Sequence, residues 1–70
     1  MNKIKLARVL SSNFSKLKRE SSFTSREIAI KTGATIETIT KIERGYFIPS
    51  FALIVKMSEI FNVSVDKFLS

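Results

Sequence analysis

A chain of 70 residues with no cysteine and no histidine has neither disulfides nor imidazole-bound metal with which to staple a small core. Its stability must come from one apolar core, built by helix packing or completed by oligomerisation. One domain over residues 1–70 is all that this length suggests. The same two absences remove thiolate chemistry, the commonest general base and the commonest metal ligand. A binding protein without catalytic residues, metal or cofactor is therefore expected, with no small-molecule ligand. Cysteine-free composition fits a reducing cytoplasm. Lys3, Lys5 and Arg8 interrupt what would have to be the apolar stretch of a leader peptide. The longest purely apolar run, Phe51 to Val55, is far too short to span a bilayer, so the expectation is a soluble cytoplasmic protein without a membrane role.

Net charge is +6, and its distribution is uneven. Residues 1 to 48 carry ten Lys or Arg against four Glu, whereas residues 49 to 70 carry two of each sign. A polyanion bound by the first two-thirds of the chain, nucleic acid above all, is the physical reading; a solubilising surface is the alternative.

Apolar residues recur at helical spacing. Ala7, Leu10, Phe14 and Leu17 mark an amphipathic helix from about Ile4 to Glu20, ended by Ser21 and Ser22. Thr24 is followed three residues later by Glu27, the capping-box spacing in which hydroxyl and carboxylate satisfy orphan helix-start amides reciprocally. A short helix from Ser25 to about Thr32 follows and ends at Gly33, which takes a left-handed backbone without steric cost. Beyond the loop Tyr46 to Pro49, Ser50 suits the cap of a further helix whose core face is Phe51, Ile54, Met57 or Ser58, and Phe61. Asn62 can end that helix, and Ser64 would cap a last helical turn containing Val65, Phe68 and Leu69.

Between these elements lies a segment of conflicting signals. Six of the eight residues from Thr35 to Ile42 are β-branched, which favours a strand. As a strand it would strand Ile39 among Glu37, Lys41 and Glu43. As a helix it gathers Ala34, Ile39 and Ile42 toward one side and turns Glu37, Thr40, Lys41 and Arg44 outward. Context decides, because no other alternating segment exists to pair with, and a lone strand leaves its backbone polar groups unsatisfied. Thr35 also suits an N-cap and Gly45 the position after a helix end. A helix from about Ile36 to Arg44 is predicted, held by tertiary packing against its own weak propensity.

Two short helices joined at Gly33, with small Ala29 at their crossing and Ile39 and Ile42 plugging the second onto the first, form the skeleton of a helix-turn-helix. The opposite side of the second helix is then free to enter a major groove about 12 Å wide. The run T-S-R-E-I-A-I-K-T-G-A-T-I-E-T-I-T-K-I-E-R-G, followed by Pro49-Ser50 and by N-V-S-V-D-K-F at 62 to 68, resembles the Cro/C1-type helix-turn-helix of phage repressors. The resemblance covers residues 14 to 69. It rests on Ala29, Gly33, Ile-Glu-Arg-Gly at 42 to 45, Pro49-Ser50 and Val-Ser-Val-Asp at 63 to 66, which match in order and spacing.

That resemblance implies an all-α, compact five-helix domain of the lambda-repressor-like type. It also implies double-stranded DNA as partner and a symmetric homodimer, as in small phage repressors and the controller proteins of restriction-modification systems. Residue by residue, base-contacting positions fall on Thr35, Ile36, Glu37, Thr40 and Lys41. Methyls of Thr35 and Ile36 suit thymine, Glu37 can accept from cytosine N4, and Lys41 can donate to guanine O6 or N7. Phosphate-contacting positions fall on Thr24, Ser25 and Arg44. Blander readings exist: Ile36 as a staple on its own helix, and Glu37 as a residue favoured by the helix dipole. Val65, Phe68 and Leu69 are assigned to the dimer contact, with closure of the core as their other reading.

The sequence also departs from the family pattern. Ser25 stands where glutamine is common, so a clamp on a helix 3 side chain is expected to be lost. Ser22 stands where glycine is common, in a turn that then carries strain. Lys18 replaces an arginine and is predicted to pair with Glu43, without the bidentate fork of arginine. Tyr46, Phe47 and Ile48 make an apolar loop where polar or basic residues are usual; such a loop folds onto the core or joins a partner interface.

Rival classes are weaker. Ser15 to Lys18 and Ser64 to Lys67 both match S-x-x-K, but neither has a third catalytic group beside it in sequence. A protein-binding module, such as an antitoxin or coactivator on the same fold, is the main alternative to a DNA-binding regulator. Membrane binding by the basic segment Lys3 to Arg19 would need Leu10, Phe14 and Leu17, which the core already requires.

Overall fold

Four α-helices and a terminal 3₁₀ turn account for the architecture of the computed structural model, which describes residues 2–70. Helix α1 spans Lys3–Ser21, α2 Ser25–Thr32, α3 Ile36–Arg44 and α4 Phe51–Phe61, with the 3₁₀ turn at Val65–Phe68. No strand occurs among the described residues.

Each α-helix starts on a side-chain cap. Asn2 accepts from Lys5 N–H at 2.8 Å, Thr24 from Glu27 N–H at 3.1 Å, Thr35 from Thr38 N–H at 3.1 Å, and Ser50 from Leu53 N–H at 3.1 Å. The box at α2 is complete, because Thr24 N–H donates to Glu27 Oε1 at 2.8 Å. Each α-helix also stops on a residue in the left-handed region: Ser22, Gly33, Gly45 and Asn62, with φ of 65°, 77°, 81° and 56°. Ser22 is the costly member of that set, since a side chain in this conformation is disfavoured by about 1–2 kcal/mol.

The β-branched segment is helical. Ile39 and Ile42, one turn apart, are buried in a core shared with Leu10 and Phe14 of α1, Ile28 and Ala29 of α2, and Ile54 and Met57 of α4. Burying each isoleucine is worth about 1.5–3 kcal/mol, which exceeds the few tenths per residue that β-branching costs a helix. Thr32 stitches the turn between α2 and α3: its hydroxyl donates to Ile28 O at 2.7 Å and accepts from Ala34 N–H at 3.4 Å. Phe61 carries the aromatic side of the core, with ring centroids 6.0 Å from Phe14, 6.1 Å from Phe23 and 6.4 Å from Phe68.

The fold corrects the sequence reading in three places. The expected fifth helix is a four-residue 3₁₀ turn, and Ser64 makes no side-chain cap. Its bonds run from Lys67 N–H to Ser64 O and from Leu69 N–H to Asp66 O, the three-residue spacing used where a segment is too short to sustain an α-helix. Phe51, expected on the core face of α4, points to solvent; Ile54, Met57 and Ser58 supply that face. Phe68, assigned to a dimer contact with core closure as its other reading, takes the second: it is 0% exposed and belongs to the core, where the turn packs against α1 and α4.

Candidate nucleic-acid interface

Burial of Ile39 and Ile42 fixes which side of α3 faces away from the core. Nine residues long, α3 extends about 13 Å, long enough to lay its outward side along a groove. Thr35, Ile36, Glu37 and Arg44 are exposed, while Thr40 and Lys41 are half-buried. Ile36 keeps 40% of its surface in solvent. Thr35 is committed locally as well, since its hydroxyl donates to Thr38 Oγ1 at 3.0 Å.

Glu37 and Lys41 sit one turn apart, with Oε1 and Nζ separated by 3.7 Å. They present an acceptor and a donor side by side. Lys41 Nζ also stands 5.9 Å from the centroid of the Phe47 ring, at the outer limit of a cation–π contact. Sequence spacing alone makes the Glu37–Lys41 pair legible. The Phe47 contact is not legible that way, because it depends on how the loop after α3 folds back.

At the start of α2, Thr24 and Ser25 meet the site differently. The Thr24 amide and hydroxyl are both engaged by Glu27. The Ser25 amide begins the helix, where no intrahelical acceptor exists. Glu27 is held below the usual glutamate range, first by the Thr24 backbone N–H and then by the Thr24 hydroxyl, with Lys31 adding a smaller pull.

The Ser25 side chain has a role that the sequence reading missed. Its hydroxyl donates to Glu43 Oε1 at 2.8 Å and accepts from Lys18 Nζ at 2.7 Å. Lys18 Nζ in turn reaches Glu43 Oε2 at 3.0 Å, as predicted. The three side chains close a ring that links α1, α2 and α3. Ser25 thus clamps a helix 3 side chain rather than forfeiting the clamp, and it sets the start of α2 beside the turn of α3 that carries Arg44. No local signal marks this serine, because its partners lie 7 and 18 residues away. Ser11 reinforces the same corner by donating to Glu43 O at 2.8 Å.

The three residues assigned to a dimer contact differ in exposure. Phe68 is in the core, Val65 is half-buried against it, and Leu69 is 47% exposed. The apolar loop also divides: Phe47 packs against the core, whereas Tyr46 and Ile48 remain exposed.

Two short helices locked at a glycine turn, the second buried on one side and polar on the other, define a helix-turn-helix protein. A family model described as Helix-turn-helix matches residues 15–68, and the chain belongs to that family, of the Cro/C1 type. Membership of that family points to a DNA-binding regulator. No curated protein matches the sequence. None of the described helices is long and apolar enough to cross a membrane.

Proposed function

We propose that the chain is a sequence-specific regulator of transcription that acts as a homodimer on a two-fold related DNA operator, with α3 in the major groove. The observation that carries this reading is the division of α3: Ile39 and Ile42 anchor it, while Ile36, Glu37, Thr40 and Lys41 lie away from the anchor. Methyls of Thr35 and Ile36 suit thymine, the Glu37 carboxylate suits cytosine N4, and the Lys41 ammonium suits guanine O6 and N7. Exposed ion pairs are worth at most about 1 kcal/mol, so parting Glu37 from Lys41 to meet bases costs little against the roughly 1–3 kcal/mol of each base contact.

Arg44 and the first amides of α2 flank that face and supply cation and dipole to the phosphate backbone. The basic excess in residues 1–48 supports the same partner. In the dimer the two α3 copies stand about 34 Å apart on one side of the duplex. With Phe68 in the core, exposed Leu69 is the member of the terminal trio available for a contact with the second copy.

Footprinting on the DNA upstream of the coding region, across a salt series, tests the proposal. Binding should weaken with a slope near −0.9 per phosphate neutralised. Lys41→Ala should lower affinity and relax the preference at one base position in each half-site, by roughly 1–3 kcal/mol. Unchanged affinity and unchanged preference in that variant would remove α3 as the reading helix. A salt-insensitive interaction would favour a protein-binding role instead.

A further inference from the structure

Three of the large side chains left in solvent, Ile4, Tyr46 and Ile48, gather around one groove between the start of α1 and the loop after α3. Ile4 is 67% exposed and Tyr46 62%. Ala7 and Phe47 line the groove with them, and its volume is about 820 Å³, room for several side chains of a ligand. The other side chains lining it are Lys3, Arg8 and Arg44, and no acidic residue takes part.

We propose that this groove docks an acidic, apolar segment of another protein, with its aliphatic or aromatic side chains between Ile4, Tyr46 and Ile48 and its carboxylates on Lys3 and Arg8. Charge complementarity selects this occupant. A second copy of a chain with net charge +6 would bring further positive charge to a cationic rim. A DNA backbone would satisfy the cations and leave the apolar lining uncovered, whereas an acidic peptide with apolar anchors satisfies both. The groove adjoins the C-terminal end of the outward face of α3: it shares Arg44 with the proposed phosphate contacts, and its Phe47 ring stands 5.9 Å from Lys41 Nζ.

The chain carries its own reporter, because Tyr46 is its single tyrosine and it has no tryptophan. A set of synthetic peptides in which Asp and Glu flank Leu, Ile and Phe, free of Tyr and Trp, is titrated into the full chain while Tyr46 emission is followed. At least one should give a saturable change, and its counterpart with Lys in place of Asp and Glu should give none. Arg8→Glu and Ile48→Ser should each weaken binding by about tenfold, a loss that marks a real interface contact. Arg8 is exposed, so its variant reads the groove without touching the core. The inference is overturned if no acidic peptide saturates, if the lysine peptide binds equally well, or if Arg8→Glu leaves affinity within about twofold. It is overturned equally if Arg8→Glu weakens binding of a short DNA duplex and not of the peptide, which would assign the groove to the nucleic-acid interface.

Discussion

Ser25, a small side chain of middling burial, joins three helices through one polar ring. It accepts from Lys18 and donates to Glu43, so each member of the ring has two partners. Hydrogen bonds to charged groups contribute about 1.5–3 kcal/mol when buried, and this ring, with side-chain exposures of 25% and 31% at its charged ends, belongs at the lower end. Ser25→Ala is therefore expected to lower stability by about 1 kcal/mol in chemical denaturation. A cycle with Lys18→Met and Glu43→Gln should show coupling that shrinks in the Ser25→Ala background, and additive changes would dissolve the ring as an energetic unit. The Lys18–Glu43 half was legible because aligned family positions set the two residues opposite each other. The Ser25 half is not, since its partners lie 7 and 18 residues away and no local pattern joins them.

At the scale of the element, boundaries were the most readable feature. Thr24, Thr35 and Ser50 as starts, and Gly33, Gly45 and Asn62 as stops, stand where residue chemistry placed them, because caps are local and act within one turn. The terminal turn departs from expectation for the converse reason: Ser64 has the chemistry of a cap, but the turn it precedes is only four residues long and makes no bond to its side chain. The box at α2 gives a pH-dependent prediction. Because the carboxyl of Glu27 is depressed in the folded chain, its contribution is present at neutral pH and is lost as the pH falls through the ordinary glutamate range and then through the lower folded value. Glu27→Gln keeps a capping side chain without the titration. The gap in melting temperature between the two proteins should close on acidification, and a gap that stays constant from neutral to acid would separate this carboxylate from the stability of α2.

For the whole molecule, the core was legible in outline and the outer surfaces were not. Leu10 and Phe14 are marked by periodicity, and Ile39 and Ile42 by the lack of any strand partner, whereas apolar spacing cannot say that Phe51 is left in solvent while Phe68 closes the core. Two substitutions near the C-terminus should now behave in opposite ways. Phe68→Ala removes a fully buried ring and should cost about 3–5 kcal/mol, a large fraction of the stability of so small a domain. Leu69→Ala should leave the thermal midpoint nearly in place and shift any monomer–dimer equilibrium toward monomer in sedimentation. A Phe68→Ala protein of undiminished stability would contradict the core described above.

The division of labour along α3 has a consequence for how such a chain can change over time. Ile39 and Ile42 fasten the helix by their burial, and Ile36, Glu37 and Lys41 lie outside that buried pair. New side chains can accumulate at those outward places with little penalty to the scaffold, so the vocabulary this surface offers to a partner is free to drift while the architecture that displays it stays the same.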